Sequence, residues 1–246
     1  MYSKVNGEFI TVDIETAEII KYVNNSFHAL KVTFANEIGR ICKKLNIDSY
    51  KVMQLFCLDT RLNISPYYFK PGFSYGGSCL PKDLKALTTI GLDYGLKLPV
   101  LESIEVSNQN HSASVIDLVT KKNGKKVGIL GIAFKEGTDD LRYSPILKVI
   151  EGLLDKGYTI KVYDPYVNQA YLMGSNKEYM KTVLPYLQDL MQDSEDEVIN
   201  WADIIVFNRK SVNYEKLVSD NPGKSFIDLV RISEQLNNSN YEGICW

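Results

Sequence analysis

Between residues 13 and 44 the chain has no proline, and apolar side chains recur at Ile20, Val23, Phe27, Leu30, Phe34, Ile38 and Ile41, in steps of three and four. That spacing predicts one long amphipathic helix. At about 100° per residue, Lys21, Asn25, His28 and Asn36 fall within about 80° of arc on the side opposite the apolar stripe. One face is greasy, and the other presents amine, amide and imidazole groups. A shorter helix is expected over 49–58. It is followed at 65–78 by SPYYFKPGFSYGGS, whose prolines, glycines and aromatics suit a loop. Helical spacing resumes over 81–94, with Pro81 fitted to a first helical position, and again over 99–121.

After residue 126 the pattern changes to short apolar runs at 127–134, 159–163, 204–207 and 226–230, which read as buried parallel strands. Between the first two, Ser144-Pro145 opens a helical stretch that Gly157 closes. Strand, helix, strand is a βαβ unit. The expected architecture is an α central domain followed by an α/β Rossmann-like domain with a parallel sheet. Residues 1–13 form a leader or linker remnant, 14–122 the helical domain and 123–246 the α/β domain. Gly128, Gly131 and Asp164 give only part of a dinucleotide fingerprint, because three glycines at G-x-G-x-x-G spacing do not follow the first strand. A Rossmann-like sheet reused for part of a ligand fits better.

Composition narrows the function classes. The 246 residues carry 28 Lys+Arg against 30 Asp+Glu, with 45% hydrophobic and 24% charged residues, the balance of an ordinary globular protein. A net charge of -2 supplies no global field for a nucleic acid, and the lysines at 121, 122, 125 and 126 read as a solvated turn. Apolar runs fall short of the ~20 residues of a membrane span, and the first twelve residues hold no signal core. The expectation is a cytoplasmic protein without a membrane or nucleic-acid partner. Cys42, Cys57, Cys79 and Cys245 lack the close spacing of a zinc site and are too sparse for a disulfide scaffold.

The chemistry concentrates in PGFSYGGSCLPKD, residues 71–83. Gly76 and Gly77 let backbone approach a ligand, and Cys79 sits just before a helix start, where unpaired N–H groups and the helix dipole favour a thiolate. Lys82 adds a positive charge nearby. Cys42, Cys57 and Cys245 have no such setting and read as structural thiols.

GGSCLPKD, the upstream KYVNN and the downstream GIAFKEGTDDLRYSP resemble the nucleotide-sugar 6-dehydrogenases, the UDP-glucose/GDP-mannose dehydrogenase family. The resemblance runs from about residue 15 to 246. Within the family NNSFHALKVTFANEIGRI, the Tyr67-Tyr68 pair and the terminal EGICW are similar to the branch that acts on GDP-mannose, with a UDP-sugar as the alternative substrate. A noncatalytic nucleotide-sugar-binding or dimerisation module is the remaining alternative.

The resemblance implies a four-electron oxidation of the sugar C6 alcohol to a carboxylate, with NAD as cofactor. Cys79 would form a thiohemiacetal and then a thioester, Lys21 and Asn25 would stabilise the oxyanion, and Asp83 would orient or activate water. His28, Asn36, Tyr67, Tyr68, Lys70, Phe73, Gly76 and Lys135 match positions that contact the sugar nucleotide. Lys82 and Arg142 match cofactor contacts, and Asp139 and Asp140 stand ready to orient Lys135 and Arg142. At Lys70 the GDP-mannose branch has Arg; Lys keeps the charge but loses the two-pronged fork.

The family's N-terminal NAD-binding domain has no counterpart here, since the first twelve residues cannot hold a βαβ unit of ~30 residues. The chain alone is therefore expected not to turn over. The long helix, a dimer core in full-length relatives, could serve a homodimer or be buried inside its own domain.

Overall fold

The computed structural model describes residues 10–44, 46–60, 70–93, 95, 99–134, 137–167 and 186–246. The first half is helical: α1 (Ile14–Lys44), α2 (Ser49–Phe56), α3 (Leu80–Asp93) and α4 (Pro99–Thr120). Asp48 starts α2 by accepting the N–H groups of Tyr50 and Lys51. Among the described residues no helix is long and apolar enough to cross a membrane.

The second half is a parallel sheet flanked by helices. In chain order it comprises β1 (Lys126–Leu130), α5 (Pro145–Asp155), β2 (Thr159–Tyr163), α6 (Leu187–Leu190), α7 (Glu195–Trp201), β3 (Ile204–Phe207), α8 (Tyr214–Asp220), β4 (Ser225–Asp228) and β5 (Tyr241–Gly243). The sheet order is β2-β1-β3-β4-β5, all parallel, with Val127 beside Ile160 and Ile204. Apolar cores lie on both faces, one built around Ile129, Ile146 and Val206, the other around Leu130, Ile205 and Phe226.

Two expected strands are shorter than their apolar runs. β1 stops at Leu130 because Gly131 adopts φ +95, and a Cβ there would stand 2.9 Å from Arg209 Cβ. β4 stops at Asp228, whose carboxylate accepts the N–H groups of Val230 (2.9 Å) and Ile232 (2.7 Å) and curls the chain. Ser144 occupies the N-cap of α5, yet its hydroxyl donates to the Ile132 carbonyl (2.6 Å) instead of capping. β5 has three residues, too short to show a strand period.

Only part of the apolar stripe of α1 is covered within its own domain: Leu30 and Ile38 pack on small apolar clusters. Ile20 (48%), Val23 (50%), Phe27 (42%) and Phe34 (40%) stay exposed, while Ser26, Ala29, Thr33 and Asn36 are buried. The reason is steric: small side chains let α1 lie close to α3 and α4, so the mixed polar face turns inward. The helical and sheet halves meet where the α1–α2 corner receives the last residues. Lys43 reaches Glu242 (2.9 Å), Lys122 reaches the same carboxylate (2.7 Å), and Ser49 donates to the Cys245 carbonyl (2.9 Å). Of the lysine cluster expected to be a solvated turn, Lys122 is thus ion-paired, and Lys125 lies 3.9 Å from the Tyr158 ring centroid.

Candidate active site at the start of α3

The segment from Lys70 to Cys79 crosses from the helical half under the sheet half. Gly76 permits this: a Cβ there would stand 2.4 Å from the Tyr143 carbonyl oxygen. Gly77, at φ +82, faces the Phe134 ring, and a Cβ would meet it at 2.5 Å. Cys79 then emerges exposed, immediately before α3, and its carbonyl accepts the Asp83 N–H at 2.9 Å. The thiol therefore belongs to a residue at the positive end of a 14-residue helix.

One turn further on, Asp83 is completely buried. Asn25 Nδ2 donates to Asp83 Oδ2, Lys21 Nζ lies 3.9 Å from the same oxygen and Lys82 Nζ lies 3.6 Å from Oδ1. Lys21 and Asn25 are four apart and share one face of α1, so both reach α3. A buried carboxylate is tolerated because the first turn of a helix, an amide and two ammonium groups compensate its charge. Both ammonium groups are about 60% exposed, which leaves them free to swing toward a bound anion. Lys21 and Asn25 of α1 thus meet Asp83 and Lys82 of α3, one turn beyond Cys79.

The other expected site residues divide into three groups. His28 is half-buried on the same helix, and partial burial, with the Lys31 ammonium, holds its imidazole below the usual value. Asn36 is buried and spends its amide on protein backbone: Oδ1 accepts the Gly72 N–H (3.0 Å) and Nδ2 donates to the Phe73 carbonyl (3.3 Å). It holds the cysteine loop. Phe73 packs against the sheet core. Arg142 is gripped by Asp140 through two N–H donors, at 2.9 and 2.7 Å, and the guanidinium donation holds the Asp140 carboxyl below its ordinary value. Tyr67, Tyr68 and Lys135 lie outside the described residues.

Lys70 stands on the wall of a cavity of about 840 Å³ between α2, the Pro71 turn and the loops after β3 and β4. Lys210 and Arg231 share that wall with Glu215 and Glu234, at the carboxyl ends of two parallel strands, and the Arg231 guanidinium is paired with Asp48. Sequence reasoning missed Lys210 and Arg231. The signal was the basic residue two or three positions past each strand end. By contrast Asp164, the tempting ribose ligand, has no capacity left: its oxygens accept from Ile132 (2.8 Å), Ala133 (3.2 Å), Tyr166 (3.1 Å) and Val167 (3.4 Å). It closes a turn.

The chain is similar to known proteins. Residues 15–110 match the UDP-glucose/GDP-mannose dehydrogenase family, central domain, and residues 128–235 match the same family's UDP binding domain. GDP-mannose 6-dehydrogenase of Pseudomonas aeruginosa is 42% identical over the whole chain. The solved ternary complex of GDP-mannose dehydrogenase from that species superposes with a TM-score of 0.70 over all of this chain. A UDP-glucose dehydrogenase from the archaeon Pyrobaculum islandicum, 30% identical, superposes at 0.84, again over all of this chain. The chain spans 57% of the Pseudomonas relative and 56% and 54% of the two solved chains. With both domain matches in sequence order and the cysteine loop inside the first, the chain belongs to the UDP-glucose/GDP-mannose dehydrogenase family.

Proposed function

We propose that this chain supplies the nucleophile and the sugar-nucleotide site of an NAD-dependent nucleotide-sugar 6-dehydrogenase that converts GDP-mannose to GDP-mannuronate. The observation that carries the reading is the meeting of Lys21, Asn25 and Asp83 one helical turn behind an exposed cysteine. NAD, when bound, accepts one hydride in each of two oxidations. The exposed cations Lys82 and Arg142 fit the phosphates of a dinucleotide.

The chain's own residues account for the rest. Oxidation of the C6 alcohol gives an aldehyde; the Cys79 sulfur adds to its carbon, forming a C–S bond and a tetrahedral oxyanion. Asn25 has a second N–H beyond the one given to Asp83, and the Lys21 ammonium is mobile, so both can donate to that oxygen. Loss of the second hydride leaves a thioester. Water, with Asp83 taking its proton, then displaces the Cys79 thiolate and releases the carboxylate. The nucleotide end extends toward Lys70 and Lys210, whose charges suit a diphosphate.

The exposed stripe Ile20, Val23, Phe27 and Phe34 supports a homodimer through α1, because a row of large apolar side chains in water is the surface a two-fold copy would cover. The higher structural likeness to a UDP-glucose dehydrogenase favours a second reading, a UDP-sugar substrate.

Calorimetric titration with GDP-mannose and with UDP-glucose separates the two. Tighter binding of GDP-mannose is expected; the reverse order replaces it by the UDP-sugar reading. With a dinucleotide-binding Rossmann unit supplied, NAD-dependent uronate formation is expected from the parent and not from Cys79→Ser. Uronate formation by Cys79→Ser at the parent rate overturns the covalent route.

A further inference from the structure

α4 carries a polar stripe into the interior, where polar side chains survive only with partners. Asn108, His111 and Ser112 are all buried, and each is directed at the loop that precedes Cys79. Asn108 reads one residue twice: Oδ1 accepts the Tyr75 N–H and Nδ2 donates to the Tyr75 carbonyl, both at 3.0 Å. His111 Nε2 lies 2.7 Å from the Gly72 carbonyl. A carbonyl only accepts, so the ring is the Nε2–H tautomer in this contact. Ser112 donates to Ser74 Oγ at 2.8 Å, and Ser74 donates to the Asn108 carbonyl at 3.0 Å.

From the opposite side, Asn36 of α1 takes the Gly72 N–H and the Phe73 carbonyl. Between Gly72 and Tyr75, therefore, five backbone donors and acceptors end on three buried side chains from two different helices. A loop needing only to be covered could be packed by apolar residues with no desolvation cost. This one is held at defined points four residues before the nucleophile, which polar contacts in a low-dielectric interior do and apolar contacts do not.

We propose that Asn108 and His111 are positioning residues for Cys79, a clamp that fixes the path of residues 72–75 so that Cys79 is presented at the start of α3, one turn before Asp83. The inference rests on the covalent reading above and extends it to residues that touch neither substrate nor cofactor. Positioning works through distance: an ångström of slack in the loop passes directly to the sulfur.

The test compares His111→Leu, which removes the donor, with His111→Gln, whose side-chain N–H reaches the same carbonyl. Asn108→Asp, isosteric but lacking the donor, stands in should His111→Leu not fold. In the chain itself, iodoacetamide labelling of Cys79 is expected to fall roughly tenfold in His111→Leu or Asn108→Asp and to return to within about twofold of the parent in His111→Gln. Hydrogen exchange of the amides at 72–78 is expected to quicken in the same order. A role limited to stability lowers the melting temperature but leaves both readouts at parent values in the folded variants, and that result overturns the proposal. If the parent forms no Cys79 thiohemiacetal with the aldehyde of the sugar nucleotide, the covalent reading fails instead, while labelling and exchange still judge the clamp.

Discussion

Arg231, just beyond β4, closes on Asp48, at the start of α2, with guanidinium N–H groups at 3.0 and 2.9 Å, while its plane stacks 3.8 Å from the Tyr50 ring centroid. One carboxylate thus caps a helix and joins the two halves of the protein.

That pairing sets an acid limit. Donation from Arg231 is the main cause that holds the Asp48 carboxyl below its ordinary 3.8. A carboxyl lowered in the folded state stabilises the fold above its unfolded value, and the contribution is lost as pH falls through the lowered one. Glu242, where burial raises the carboxyl but Lys122 and Lys43 outweigh it, acts in the same direction. Asp228, raised by burial, acts against them as pH rises. The melting temperature is expected to drop steeply below pH 3.8. Asp48→Asn should flatten that slope and lower the neutral-pH midpoint by about 2–4 °C, the shift that about 1 kcal/mol makes in a chain of this size. An unchanged acid slope in a thermal scan series would remove Asp48 from the account.

Gly77→Ala should be costly. The residue sits at φ +82 with the Phe134 ring 2.5 Å from where a Cβ would be placed, so backbone strain and overlap add. A loss of about 2–4 kcal/mol is expected from urea denaturation, together with impaired sugar-nucleotide binding. Gly137→Ala serves as control: its φ of +76 carries the strain, but nothing lies within 4 Å.

Thiol labelling should be selective. Cys79 is exposed, Cys42 and Cys245 are buried, and burial pushes the Cys57 thiol up. Under limiting iodoacetamide, peptide mass mapping is expected to find Cys79 modified first and GDP-mannose to protect it. Faster labelling at Cys57, on the cavity wall, would contradict the assignment of Cys79 as the reactive thiol.

The outward stripe of α1 gives the fourth prediction. Phe27→Glu puts a charge in its middle, where the parent ring is 42% exposed and makes few demands on the protein's own fold. Sedimentation is expected to show a dimer for the parent and a monomer for the variant, with similar melting of the monomeric unit. A monomeric parent at micromolar protein would leave the stripe without that role.

How much of this was legible in the sequence differs by element. The long helices and the four longer strands follow from period and apolar runs, since burial on one or both faces imposes them. β5 did not show, because three residues carry no period. The orientation of α1 was ambiguous from pattern alone: which face turns inward depends on the small residues Ser26, Ala29 and Thr33, and an exposed apolar stripe looks the same as a buried one in one dimension. At the site, Cys79, Asp83, Lys21 and Asn25 are expected from motif resemblance, and the fold brings Lys21 and Asn25 onto Asp83, one turn from Cys79. Asn108 and His111 were not expected, for they lie on a helix with no motif and bond to the backbone of a loop more than thirty residues away in sequence.

The tie between Ser49 and Cys245 spans 196 residues of chain, and that from Lys43 to Glu242 spans 199. A ribosome therefore releases the α1–α2 corner long before it makes the segment that covers it. Until that segment arrives, the corner must wait half-finished, with Lys43 unpaired and Ser49 still wet. The segment from Tyr241 onward completes both the α1–α2 corner and the β4 edge of the sheet, so nascent chains stalled before residue 241 should engage chaperones through both.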